Sequence, residues 1–473
     1  MNILRSFLKQ LPIEYLIFTF IILPINSTVS AQTMESERQA HYMKIVTEFV
    51  RTALIDQKGY DLLSELCAIG PRLSGSENSL KAIQWAKSTM EKLGFDRVTL
   101  QPVMVPKWVR GDVEKAEIVK SKLFKGKKLN ISAYGGSVAT PPSGITAEVL
   151  EVKTFDELHA LSDRTKGKII FFNRPMDRGV INTFASYGSA VNQRSSGAIE
   201  AAKVGGVAAI VRSVTTKYDN IPHVGAMHYL DNLVKVPSVA IGLKDADFLS
   251  AALKKDSLLK IRLRLSCKAF PDVQSYNVMG DIIGSEKPEE VIVVGGHFDS
   301  WDQGEGAHDD GAGCIQSMEV LNLFQRLGIK PKRTIRCVFF INEENGLRGA
   351  IAYGKYADTS EEIHIAAIES DRGAFTPRGF SVEGDSAIIQ KINSWLPILQ
   401  KAEIEWVRSG GSGADVSQIK SCKVKIGYVP DTQRYFDLHH SAHDVFSAVH
   451  PREMELGSAA LAILVYLISE EGL

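Results

Sequence analysis

Cysteine is scarce in this chain of 473 residues. Cys67, Cys267, Cys314, Cys337 and Cys422 are scattered and odd in number, which excludes a disulfide scaffold. No close CxxC pair builds a structural zinc site, so these residues read as small buried apolar side chains. Net charge is absent too: 55 basic residues balance 55 acidic ones, so no nucleic-acid or membrane-surface partner is implied. Apolar runs long enough to span a membrane are missing, including near the start. There, Arg5 and Lys9 precede an apolar run from Tyr15 to Leu23, closed by Pro24, and small residues continue to Ala31. The run is shorter than the ~20 residues of a membrane span and stands in a signal peptide's order of parts. Residues 1–31 therefore read as a cleaved leader, and the mature protein as secreted or otherwise extracytoplasmic (periplasmic or lumenal). Residues 32–57 form an N-terminal segment that a processing step could remove as a propeptide.

What is present is an ordinary globular composition, 44% apolar and 23% charged, in a chain longer than one typical core needs. That length implies a large domain with an insertion. Residues 58–133 begin the larger domain: a helix is expected where Leu80, Ile83, Ala86 and Met90 recur at three or four residues, and the strand VTLQPVMVPKW is expected to end near Pro106. A boundary is placed before the glycine- and proline-rich YGGSVATPPSG, and residues 134–270 read as an inserted module of short strands and helices that covers a cleft or mediates contacts. From residue 271 to 473, buried strands alternate with helices, which indicates an α/β sheet. The apolar runs at 290–294, 335–341 and 363–368 are its strands. Cys314, Ile315, Met318, Leu321 and Phe324 mark a helix between the first two.

Ligand sites in open α/β sheets lie beyond the carboxyl ends of strands, so the residues just past each apolar run are informative. After the first run come Gly295-Gly296-His297-Phe298-Asp299 and then GAHDDGAG, after the second Asn342-Glu343-Glu344, after the third Glu369-Ser370-Asp371, and a later segment reads His439-His440-Ser441-Ala442-His443-Asp444. If His297, Asp309, Glu344, Asp371 and His440 meet, two divalent metals find a site in which one aspartate bridges. Zinc suits this mixed nitrogen and oxygen set. Glu343, beside a ligand but pointing elsewhere, is the expected general base that takes a proton from the attacking water. Asp299 is expected to accept the second ring proton of His297, and Asp444 to serve His440 in the same way. Asp310 is expected to shape the turn or cap the next helix.

GGHFDSWDQGEGAHDDGAG, NEENG, ESDRGAF and HHSAHD, with GPRLSGS, TPPSGITAEV and EAAKVGG upstream, closely resemble the co-catalytic zinc peptidases of family M28. The resemblance implies a mixed central sheet flanked by helices, of the zinc-exopeptidase (phosphorylase/hydrolase-like) type, with an inserted protease-associated domain. It implies two zinc ions per chain, one on His297 and Asp371, the other on Glu344 and His440, with Asp309 between them and Glu343 as base. His439 and His443 are then the lesser ligand candidates. It further implies an exopeptidase or dipeptidase acting on small peptides, with an aminopeptidase of the same fold as the alternative, and a homodimer. Arg72, Arg372, Arg408 and Arg434 are candidates to receive a substrate carboxylate. A non-catalytic binding protein on this scaffold would lack ligands or the base, and all six positions are filled.

Overall fold

The computed structural model describes the backbone of residues 18–473 and the side chains of residues 37–473 except Ser162. The expected leader falls in part on residues 1–17, outside the described residues. Two units are distinguished, residues 1–48 and residues 49–473. The described part of the first is helical, within the helix Phe18–Asp56. No described helix is long and apolar enough to cross a membrane.

The second unit carries sixteen strands among the described residues: β1 (Arg97–Val109), β2 (Glu114–Lys120), β3 (Lys128–Leu129), β4 (Ile131–Ala133), β5 (Ile145–Val152), β6 (Ile169–Phe172), β7 (Ala208–Arg212), β8 (Ser238–Ile241), β9 (Lys260–Leu265), β10 (Lys268–Ile282), β11 (Lys287–His297), β12 (Arg333–Phe340), β13 (Ile363–Glu369), β14 (Pro377–Glu383), β15 (Trp406–Ser409) and β16 (Lys425–Pro430). They form two mixed eight-stranded sheets, ordered β1-β10-β12-β11-β13-β16-β14-β15 and β3-β2-β9-β5-β6-β7-β8-β4. In the first sheet, β12, β11, β13 and β16 run parallel, so their carboxyl ends share one edge. Val291–Val294 and Ile335–Phe340 are buried on both faces, as a parallel core covered by helices requires. One cover is the helix Ala312–Arg326, whose expected apolar stripe is buried and which ends before Gly328 at φ 66°. Beside it lies the helix Pro451–Glu471, buried from Met454 to Ser469.

Two expectations need correction. β1 does not end at Pro106: it is an edge strand, and a register shift between Val105 and Lys107 accommodates a residue that cannot donate a ladder hydrogen bond. The second sheet also begins before residue 134. β2 pairs with β9 from Glu114↔Leu265 onward, so the chain enters and leaves this sheet on neighbouring strands, and residues 114–133 belong with it.

Candidate metal centre

His297 is the last residue of β11, Glu343 and Glu344 come after β12, Asp371 after β13, and His439 and His440 lie on the turn after β16. Asp309 comes from the irregular turn Ala307–Gly311, in which the Asp309–Asp310 peptide is cis. The fold brings all of them to the carboxyl edge of the parallel strands.

The distances divide them into two groups around Asp309. Its Oδ1 lies 3.1 Å from His297 Nε2, which is 3.4 Å from Asp371 Oδ1. Its Oδ2 lies 3.3 Å from His440 Nε2, which is 3.0 Å from Glu344 Oε2. His439, stacked on His440 with ring centroids 3.5 Å apart, brings its Nε2 within 3.7 Å of the same Oδ2. Asp309 Oδ2, Glu344 Oε1 and Asp371 Oδ1 are buried and have no hydrogen-bond partner. Carboxylate oxygens left so are costly, and a cation offsets that cost. Asp309 with His297 and Asp371, and Asp309 with His439 and His440, each gather ligand atoms within 4.8 Å of one another, and Glu344 stands against His440; this mixed imidazole and carboxylate set, with orphaned oxygens among it, fits divalent metal.

Charge in the crevice tells the same way. Burial opposes a charged His297, but Asp371 and Asp309 outweigh it and hold the ring well above its ordinary pKa, so the carboxylates around it favour a positive charge that a bound cation would supply in the proton's place. Burial drives His440 well below its ordinary value, assisted by His439 and Arg194, which keeps that imidazole neutral as a ligand must be. Glu343 is pushed up to about 7, by burial first and then by Asp371, Asp299 and Asp309, against the pull of His297.

The supporting hydrogen bonds differ from expectation. His297 Nδ1 donates to the main-chain carbonyl of Asp299 at 2.8 Å, not to its carboxylate. The Asp299 carboxylate, past the end of β11, instead accepts the Glu343 N–H at 3.0 Å and the Ser74 hydroxyl at 2.7 Å. Asp444 likewise does not serve His440. Its oxygens accept the N–H groups of His308 (2.7 Å) and Asp309 (3.1 Å), while His440 Nδ1 faces the Val224 carbonyl at 3.2 Å. Asp310 accepts the N–H of His297 and of Gly313, both at 3.1 Å, tying the strand end to the start of the helix.

Above these groups is a cavity of about 210 Å³, lined also by Phe184, Tyr187, Arg194, Tyr435 and Phe436. The first three come from the second-sheet region, where the sequence showed no ligand cluster; an isolated arginine and two aromatics carry no recognisable spacing. None of the four arginines singled out from sequence lines this cavity. Arg72 is buried, donating to the carbonyls of Phe298, Glu305 and Gly306, and Arg408 lies on the face of Trp406. Arg434 is exposed beside Glu453, and Arg372 sits over Phe184.

Residues 277–464 match Peptidase family M28. The chain is 36% identical over 415 residues to carboxypeptidase Q of Homo sapiens, covering 87% of this chain and 85% of the human protein. Among solved structures, a Peptidase M28 precursor from Shewanella amazonensis superposes with a TM-score of 0.86 at 32% identity, covering 91% of this chain and 97% of that one. A zinc aminopeptidase from Bacillus subtilis shares the fold, with a TM-score of 0.61 at 21% identity over 85% of this chain and 93% of that one. The chain belongs to peptidase family M28, as a metallopeptidase of carboxypeptidase Q-like sequence.

Proposed function

We propose that the mature protein is an exported dizinc exopeptidase that hydrolyses dipeptides and short peptides. The observation that carries this reading is Asp309, whose two oxygens face two separate pairs, His297 with Asp371 and His440 with Glu344. One zinc would rest on each pair, with Asp309 between them. What zinc supplies when bound is Lewis acidity, toward water and toward a carbonyl oxygen. The rest is done by this chain's own side chains. Glu343, its backbone held by Asp299, takes a proton from the attacking water as the C–O bond forms and then gives it to the amide nitrogen, so that the C–N bond breaks and the amine leaves. The signal-peptide-like order of charged, apolar and small residues over 1–31 supports export. The resemblance to M28 enzymes supports reading the second sheet as a protease-associated insertion and the assembly as a homodimer. An aminopeptidase on the same scaffold is the second reading, favoured by the fold shared with the Bacillus subtilis enzyme.

The test is Glu343→Gln in the purified mature chain, assayed for bound zinc and for hydrolysis of unblocked dipeptides. Removal of the base should cost ~10²–10⁴-fold in kcat while two zinc ions per chain remain. Full activity in the variant, or a wild-type protein that holds no zinc, contradicts the reading.

A further inference from the structure

The cavity must hold more of a substrate than its scissile bond, and its walls show which end. At about 210 Å³ it is smaller than the ~300–1,000 Å³ of clefts for drug-sized ligands, a size suited to a dipeptide. Its four carboxylates, Asp309, Glu343, Glu344 and Asp371, are all committed to the metal and base set. No further acid lines it, among the described residues, to receive a free ammonium group. One permanent cation does line it: Arg194, on the helix Asn192–Lys203 of the second-sheet region.

Arg194 has no carboxylate within ion-pair distance among the described residues. Its Nη1 lies 3.5 Å from the Val224 carbonyl and 3.2 Å from His440 Nδ1. Since His440 Nδ1 also faces that carbonyl, the two nitrogens share one acceptor and do not satisfy each other. Its Nε is buried with no partner. The guanidinium stands over the Tyr187 ring, 5.6 Å from its centroid, which holds the planar fork in place. A side chain at Gly225 would collide with both Arg194 and His440, so the absence of one there is what lets them approach. A rigid cation with unused donors, at the wall of a peptide-sized cavity, matches a carboxylate in a two-point bond.

Resting on the dizinc reading, we propose that Arg194 receives the C-terminal carboxylate of a dipeptide-sized substrate, and so restricts the enzyme to short peptides with a free C-terminus. The inserted region then sets specificity for chemistry carried by the first sheet.

The experiment uses zinc-loaded wild type, Arg194→Gln, Arg194→Lys and, as a surface control, Arg434→Gln. Zinc content is measured for each. Each is assayed on an unblocked dipeptide, its C-terminal amide and a tetrapeptide. Wild type should prefer the free acid over the amide by at least ~100-fold in kcat/KM, and the dipeptide over the tetrapeptide. Arg194→Gln should lose that preference through a raised KM on the acid, with zinc and the rate on the amide kept. Arg194→Lys should keep part of it, and Arg434→Gln all of it. An acid preference that survives in Arg194→Gln, or a wild type indifferent to amidation, overturns the assignment. So does a loss shared by acid and amide together with loss of zinc, which would make Arg194 a mere support for His440. Wild-type activity that is independent of zinc and survives Glu343→Gln would instead sink the dizinc reading, and this inference with it.

Discussion

Asp299 and Asp444 show how much a single side chain's role depends on which atom faces its neighbour. Each stands at a spacing from a histidine that invites the same assignment, a carboxylate behind an imidazole. In both cases the histidine is oriented by a main-chain carbonyl and the carboxylate holds backbone N–H groups of another segment. Asp299 is thus a positioning residue for Glu343. Asp299→Ala should lower kcat on dipeptides by ~10–100-fold with bound zinc retained, and Asn, which can still accept the Glu343 N–H, should recover most of the rate. Loss of zinc in the alanine variant would place Asp299 behind His297 after all. Asp310, adjacent to the bridging candidate, has both oxygens occupied by N–H groups of His297 and Gly313. It divides the labour of the acid pair: Asp309 faces the histidines and Asp310 holds the loop.

The helices under the site carry a buried acid with a different task. The helix Lys58–Ala68 has no side-chain cap of its own, since Gln57 before it is left-handed, and its first-turn N–H at Tyr60 is accepted by Glu455 from the distant helix Pro451–Glu471 at 2.8 Å. Burial, with Glu319 nearby, pushes Glu455 up to about 8; burial also raises Glu319 to about 7. An acid whose folded pKa is raised keeps more protons folded than unfolded. Its folded form is therefore unpenalised below the ordinary value near 4.5 and loses stability as pH rises from there through 8. Glu455→Gln should flatten that dependence, so the variant gains relative to wild type between pH 5 and pH 9 by on the order of 3 kcal/mol. Thermal midpoints of the two zinc-loaded proteins at both pH values check it, and an unchanged difference between them counts against the buried charge. Both the uncapped helix start and the all-round apolar face of the C-terminal helix obscure the usual sequence signals, because they are completed by tertiary neighbours.

Across the second unit, the two sheets meet at the histidine turn. The Thr215 hydroxyl donates to the Phe436 carbonyl at 2.6 Å, the Val224 N–H donates to the His440 carbonyl at 2.8 Å, and His443 pairs with Asp219 at 2.7 Å. His440 holds φ 58°, a strained backbone that such over-determined surroundings can maintain. The crevice also gathers acids whose oxygens lack partners. Stripping zinc with a chelator should therefore abolish activity and lower the thermal midpoint. For zinc held at a thousand times its Kd, the stabilisation lost is ~4 kcal/mol. Hydrogen exchange should quicken in residues 306–310 and 435–444 while β11 and β12 stay protected. An identical midpoint and exchange pattern after zinc removal would mean that the centre is not metal-stabilised.

The α/β character, the three central strands, the helix between the first two and the converging His, Asp and Glu positions were all legible in the chain. Each is written in local periodicity or at a strand end, where the fold class already says a site will form. The start of the second sheet, the tolerance of Pro106 in an edge strand, the real partners of Asp299 and Asp444, and the arrival of Arg194 at the cavity were not. They depend on contacts between segments far apart along the chain: His440 and Val224, for instance, are 216 residues apart. A pattern of residue types reports which groups can do the chemistry. Which oxygen meets which N–H is set only when strands and insertion close on one another, because hydrogen bonds are decided over tenths of an ångström that no spacing encodes.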